Sequence, residues 1–273
     1  MLRPLRPGDA ILEQVNDKNR PILLAVETSG DICGVAVLRN GVFVAEHTFR
    51  HGMHLSEHLI GHIDSVLKDA DAVLADVGAF AVGIGPGSFT GTRIGVMTVK
   101  TLASVQHVPI YGIDSLSALA EEYRGQQNIL VVPVLPCRAG TVYAAGWIER
   151  SDGMQNCLPA KAYLLGELSV SISDVLNSSA EAARSVLFCG AATTRYTVEL
   201  HAGLTGTAAE TAIRISFGAA DFPRTRLIAA LAWERLQTGD PGEDALDLVP
   251  LYISPPPIST PRPENAIPIL REV

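Results

Sequence analysis

Ile22-Leu23-Leu24-Ala25-Val26 is an unbroken apolar run of strand length, and it stops at the polar turn Glu27-Thr28-Ser29-Gly30. A second run, Cys33 to Leu38, leads into Asn40-Gly41, a dipeptide that readily supplies the positive φ angles of a tight hairpin; Val42 to Phe49 then returns as a third strand. There the period changes. Leu55, Leu59 and Ile63 recur at every fourth position, with Ile60, Val66 and Leu67 beside them, which predicts an amphipathic helix. Ala79 to Ile84 predicts a fourth strand, Gly91 to Val105 a second helix and Val108 to Ile113 a fifth strand.

Three antiparallel strands followed by helix, strand, helix and strand is the order of a ribonuclease-H-like α/β domain. The second half echoes the first. Ile129 to Leu135 is an apolar strand, Cys137-Arg138-Ala139-Gly140 a turn, and Thr141 to Ile148 a second strand ending at Ser151-Asp152-Gly153. Val186 to Cys189 is a short strand, and Arg224 to Gln237 an alanine-rich helix that stops near Gly239. The fold class expected is therefore α/β, with two ribonuclease-H-like lobes around a cleft, the plan of the actin-like ATPases. Residues 21–116 form the first lobe, completed by helix 224–238, and residues 117–223 the second. Residues 1–20 read as a disordered leader. Residues 250–273 hold seven of the chain's 17 prolines and read as extended chain, a loose tail in preference to a strap over another surface.

Composition narrows the functional classes. The 273 residues carry 21 Lys and Arg against 29 Asp and Glu, a formal charge of −8, which argues against holding nucleic acid by bulk charge. An apolar content of 47% excludes disorder of the whole chain. No apolar run approaches the ~20 residues of a membrane span. Cys33, Cys137, Cys157 and Cys189 stand far apart without a C-x-x-C pair, so neither a zinc ribbon nor a redox dithiol is indicated. Scattered thiols, and a start with no secretory apolar stretch, fit a cytoplasmic protein, with Cys33 and Cys189 as small core residues.

The densest signal is Gly83-Ile84-Gly85-Pro86-Gly87-Ser88-Phe89-Thr90-Gly91-Thr92-Arg93-Ile94-Gly95, between a strand and a helix. Ser88 or Thr90 can cap the helix and leave free N–H groups at its positive end, a generic anion site. A nucleotide loop fails on spacing. No Lys follows the glycines before Lys100, and Thr90 stands where the third glycine of G-x-G-x-x-G would be. The alternative is a tight structural turn, Gly85 to Gly91, that lets helix and strand pack closely. Gly87-Ser88 is also one residue too long for G-x-S-x-G, so a serine hydrolase is not indicated.

GPGSFTGTRIG, followed by VKTLA, closely resembles the signature of the TsaB (YeaZ) family, the dimerization subunit of the bacterial machinery that makes threonylcarbamoyladenosine in tRNA. Leu24 to Ser29 resembles that family's opening strand and turn, His54 to Leu67 its first helix, and Gly112 to Leu119 its G-V-S-S-L-x-A-L segment. The resemblance covers residues 21–150 well. It departs at Leu55, inserted between His54 and Ser56, and at Pro136 and Thr141, which replace an acid and a Glu in the second-lobe turn. That turn corresponds to the second phosphate loop of actin-like ATPases, and without a carboxylate it is a poor magnesium site. Leu251-Tyr252-Ile253 stands where many members have Y-L-R.

The family's catalytic paralogue carries an H-x-x-x-H metal pair after its fifth strand; here that location holds Ser115 and Leu119. His54, His58 and His62 have i, i+4 spacing, but they precede the glycine motif and read as an exposed face. Glu27 has no partner acid or nucleophile beside it and reads as a turn residue. No catalytic residue, metal or cofactor is expected in the isolated chain, although a nucleotide at a partner interface is compatible with the fold. The resemblance implies a non-catalytic subunit that binds the catalytic paralogue and pairs with itself when alone. It also implies a small ATPase subunit in the same complex, and contact with tRNA only indirectly. The implied partner face is Leu55, Leu59 and Ile63 on the first helix with Arg93, Ile94, Met97, Thr98 and Leu102 on the second. The competing readings are an actin-like small-molecule kinase and, less well supported, a metalloprotease using the helix histidines.

Overall fold

The structure, a computed structural model, describes residues 22–50, 54–178, 185–205 and 214–253. The expected leader and residues 254–273 of the tail lie outside them. The first half contains β1 (Ile22–Glu27), β2 (Ile32–Arg39), β3 (Val42–Arg50), α1 (Leu55–Asp69), β4 (Val77–Gly83), α2 (Phe89–Gln106), β5 (Ile110–Ile113) and α3 (Ser115–Glu121). The second contains β6 (Ile129–Arg138), β7 (Thr141–Arg150), β8 (Gly153–Leu164), α4 (Leu165–Ser178), β9 (Ser185–Cys189), α5 (Thr193–Thr205), β10 (Arg214–Phe217) and α6 (Thr225–Gln237).

Each half builds one five-stranded sheet, in the orders β3-β2-β1-β4-β5 and β8-β7-β6-β9-β10. The pairing also repeats: the first three strands of each half are antiparallel neighbours, and the last two add in parallel. The two halves are ribonuclease-H-like lobes with the same topology, and the echo in the sequence is an architectural repeat.

β1 shows why its apolar run is unbroken. Ile22, Leu24 and Val26 enter one core with α1 and α2, whereas Leu23 and Ala25 enter another with α6. A central strand covered on both faces has no polar side to show. Helix α1 buries Leu55, Leu59, Ile63, Val66 and Leu67 in the first of these cores. This corrects the expected partner face. Leu55, Leu59 and Ile63 are 3%, 1% and 3% exposed, because the stripe with helical period is what the chain's own sheet needs covered.

The last helix of each half crosses over. Helix α3 follows β5 of the first sheet, yet Leu116, Leu119 and Ala120 pack with Val131, Ala145 and Trp147 of the second. Helix α6 follows β10 of the second sheet, yet Ile228, Ala229 and Ala232 pack on Leu23, Ala25 and Tyr111 of the first. The boundary drawn between residues 116 and 117 therefore falls inside α3, which gives Leu116, Leu119 and Ala120 to the other lobe's core and Ala118 to its own. Cys33 and Cys189 are buried core residues. No helix among the described residues is long and apolar enough to cross a membrane.

Candidate functional site

The glycine-rich turn joins β4 to α2 and lies against the end of β1. Ser88 is the cap, its Oγ accepting a hydrogen bond from Gly91 N at 3.2 Å. Ser88 N donates to Ser29 O at 2.6 Å, Thr28 Oγ1 donates to Gly91 O at 2.9 Å, and Ser115 N donates to Gly85 O at 2.8 Å. Gly85 has φ +93°, a region that disfavours a side chain, and the Gly85-Pro86 bond is cis. The other glycines are required by proximity. A Cβ on Gly87 would overlap Ser29 O, one on Gly91 would overlap Thr28 O, and one on Gly95 would overlap Thr28 Oγ1. The motif's geometry accounts for its glycines: it sets helix backbone directly on the Thr28-Ser29 turn.

Glu27 sits beneath this junction and is fully buried. Its Oε1 accepts from Ser29 N at 2.6 Å and its Oε2 from Ser115 Oγ at 2.9 Å; Ser29 Oγ and Ser115 Oγ are 3.1 Å apart. Burial raises its pKa, outweighing those hydrogen bonds. Asp114 Oδ1 caps α3 by accepting from Leu116 N at 2.8 Å, and burial pushes its pKa up to about 6. Glu27 does not line the cleft. It ties the end of β1 to the start of α3 and acts as a turn residue. Ser115 is its hydrogen-bond partner, and Leu119 is a core residue.

Between the lobes lies a cleft of about 620 Å³. Its walls come from the β1–β2 turn (Ser29, Asp31), the start of α2 (Ser88, Phe89), the β6–β7 turn (Pro136, Cys137) and residues 250–253. On the β6–β7 turn the cleft is lined by Pro136 and Cys137; the carboxylates on the lining are Asp31 and Asp221. No group of three or more His, Cys, Asp or Glu among the described residues is placed to hold a metal ion. Among the helix histidines, His54 Nδ1 contacts Glu57 Oε1 at 3.3 Å, and its ring meets His58 edge-on at 6.2 Å. His62 instead stacks on Phe49 at 3.6 Å.

The outer face of α2 is differently equipped. Met97 is 59% exposed and Arg93 is exposed, while Ile94, Thr98 and Leu102 are half-buried, with Ile94 and Leu102 packed on the first core. Ile60 is the exposed apolar residue of α1. A segment running to Ile253 crosses α2. Lys100 Nζ donates to Leu246 O at 3.1 Å and Leu248 O at 2.7 Å, Leu251 N donates to Ile84 O at 2.8 Å, and Tyr252 OH accepts from Arg93 Nε at 2.9 Å. Residues 250–253 are thus laid down as a strap, where a loose tail was expected from Pro250 on; the rest of that expectation, residues 254–273, lies outside the described residues. Tyr252 joins the α2 face without any periodic signal in the sequence. Only the aromatic residue after Pro250 marks the spot.

The family model described as TsaD, tRNA N6-adenosine threonylcarbamoyltransferase, matches residues 50–260. The chain is 32% identical over 168 residues to the tRNA threonylcarbamoyladenosine biosynthesis protein TsaB of Bacillus subtilis (strain 168), covering 62% of this chain and 70% of that protein. It is 29% identical over 147 residues to the protein of the same name from Escherichia coli (strain K12), covering 54% and 63%. In fold it resembles the solved structure of YeaZ from Pseudomonas aeruginosa, with a TM-score of 0.65 and 23% identity over 85% of this chain and 99% of that one. The glycine turn seated on β1, the repeated five-stranded lobes and these matches agree: the chain belongs to the TsaB (YeaZ) family.

Proposed function

We propose that this chain is a non-catalytic subunit required for threonylcarbamoyl transfer to the tRNA adenosine beside the anticodon. It acts by binding and supporting a catalytic paralogue. The observation that carries this reading is its match to relatives named for threonylcarbamoyladenosine biosynthesis. The residues of the cleft agree with a supporting role: Pro136 and Cys137 offer no carboxylate where the second lobe would hold a metal-bound nucleotide, and Glu27 is sequestered under the glycine turn.

The partner face is the outer side of α2 with the exposed residues of α1. It comprises Arg93, Met97 and Ile60, with Ile94, Thr98 and Leu102 at its margin. Leu55, Leu59 and Ile63 hold α1 in place from behind. A specific interface of this kind buries about 1,600 Å². The same face serves self-association when the chain is alone. A small ATPase subunit belongs to the same complex, a nucleotide can sit at the partner interface, and tRNA is reached through the paralogue, in the cytoplasm.

The test is reconstitution with the catalytic paralogue and the ATPase subunit, following threonylcarbamoyladenosine in tRNA by mass spectrometry. Omission of this chain should abolish the product, and the chain alone should neither modify tRNA nor hydrolyse ATP. Modification by the isolated chain would overturn the proposal.

A further inference from the structure

We infer that Arg93 is a pre-oriented clamp for a carboxylate of the protein partner, held in position by the strap through Tyr252. The inference rests on the reading of the outer face of α2 as the partner surface, and it specifies the chemistry the partner brings there.

The guanidinium lies over the Phe89 ring at 4.2 Å and over the Tyr252 ring at 5.9 Å, and the two rings are 5.4 Å apart. Nε is taken by the Tyr252 hydroxyl at 2.9 Å. Arginine has five N–H donors in a rigid planar fork, and this arrangement uses the one on Nε while fixing the plane that carries the rest. Among the described residues no carboxylate of the chain forms an ion pair with Arg93, although the chain has 29 acidic residues. An exposed arginine ordinarily loses side-chain entropy when it pairs; one already stacked and anchored has less to lose.

The surroundings decide which anion fits. Helix α2 contains no Asp or Glu in its 18 residues, and its two cations are Arg93 and Lys100. Arg93 is thus a cation with no carboxylate on its own helix, on a chain of net charge −8, and is complementary to an acidic group. Phosphate of a nucleic acid would want a cluster of Lys and Arg. Lys100 is instead committed to the carbonyls of Leu246 and Leu248, and the side chains against the guanidinium are the rings of Phe89 and Tyr252, with exposed Met97 one helical turn on. An arginine ringed by aromatic and Met side chains is the composition of a protein–protein hot spot. The occupant is thus an Asp or Glu on the catalytic paralogue.

The experiment measures binding of the purified paralogue to the full-length chain by calorimetry, from about 50 to about 500 mM salt, for wild type, R93Q, R93K, Y252F and M97D. Urea unfolding of each variant checks that it is folded. M97D reports on the face, and the Arg93 variants report on the clamp. The clamp predicts that M97D abolishes binding. It also predicts that R93Q weakens binding about tenfold or more with loss of the salt dependence, that R93K restores little of it, and that Y252F gives a smaller loss. Loss with M97D but an R93Q affinity within about twofold of wild type overturns the clamp and leaves the face standing. Unchanged binding by M97D overturns the face, and the clamp with it. Binding of tRNA by the isolated chain that R93Q removes would assign the arginine to phosphate and overturn the carboxylate.

Discussion

Replacing Gly95 by Ala tests whether the glycine turn exists for close approach or for chain flexibility. In an ordinary helix interior, Gly to Ala is favourable by about 1 kcal/mol. At Gly95 the new methyl would overlap Thr28 Oγ1, a fully buried hydroxyl that donates to Gly91 O at 2.9 Å. To admit the methyl, Thr28 must turn away and leave its buried hydroxyl unpaired, at about 1–3 kcal/mol. The new carbon would still stand 3.3 Å from Thr28 Cβ and 3.5 Å from Cγ2. Overpacking of this kind adds about 1 kcal/mol or more, so the net expectation is a loss of about 2 kcal/mol. Gly61 is the internal control. It is exposed on α1 with nothing near its Cβ position, and G61A should stabilise by about 0.5–1 kcal/mol. With a urea slope of about 2–3 kcal/mol/M, the G95A midpoint should fall by about 0.7–1 M. The decisive arm is the double variant. Thr28→Ala removes the overlapping oxygen, so adding G95A to it should cost little or nothing, a favourable coupling of about 2 kcal/mol. A G95A protein as stable as G61A, or a double variant whose loss equals the sum of the singles, would refute the close-approach reading.

Acidification should report the junction below that turn. Asp114 has its pKa raised from 3.8 to about 6 by burial, so the folded state holds its proton more tightly than the unfolded one. Its contribution is fully present below about pH 4 and lost as the pH rises through 6, with Glu27 shifted in the same direction. Asp114→Asn should therefore flatten the stability–pH profile in that window, measured by urea midpoints; an unchanged profile counts against the shift. Alkylation of the native protein should label half-exposed Cys137 on the cleft well before Cys33, which is buried and has its thiol pushed up to about 12, with peptide mapping as the readout. Lys100→Ala removes both side-chain bonds to this segment and should speed proteolytic cleavage near Leu246 without changing the unfolding free energy by more than about 1 kcal/mol. Cleavage at the wild-type rate would show that the strap is held by Leu251 and Tyr252 alone.

The first lobe was legible because its elements carry clean periods. β1 is apolar from Ile22 to Val26, Asn40-Gly41 announces the β2–β3 hairpin, and α1 repeats every fourth residue. The same clarity misled on α1, since a strong apolar stripe reports burial without saying whether a sheet or a partner does the covering. The second lobe was harder. β8 carries Pro159 and alternates imperfectly, its burial breaking around Leu158 and Tyr163. Helix α4 is rich in serine, a weak helix former whose Ser169 and Ser173 hydroxyls here donate to the carbonyls of Leu165 and Ser169. Of the site, the glycine turn was visible in full, because a demand for small residues is written in the residues themselves. The strap was not. Tyr252 finds Arg93 across 159 positions of sequence, and nothing local to either residue encodes that meeting.

The crossed helices α3 and α6 make each lobe's core incomplete without the other's chain. A fragment ending after β5 would bare the face of Leu23, Ala25 and Tyr111, and a fragment beginning at β6 would bare Val131, Ala145 and Trp147. Two ribonuclease-H-like units of the same topology are in this way interlocked through their cores. The clasp lies on the face of the first sheet away from α1 and α2, so the two halves are fastened from behind. A binder on the outer face of α2 would meet the first lobe on the side opposite this clasp.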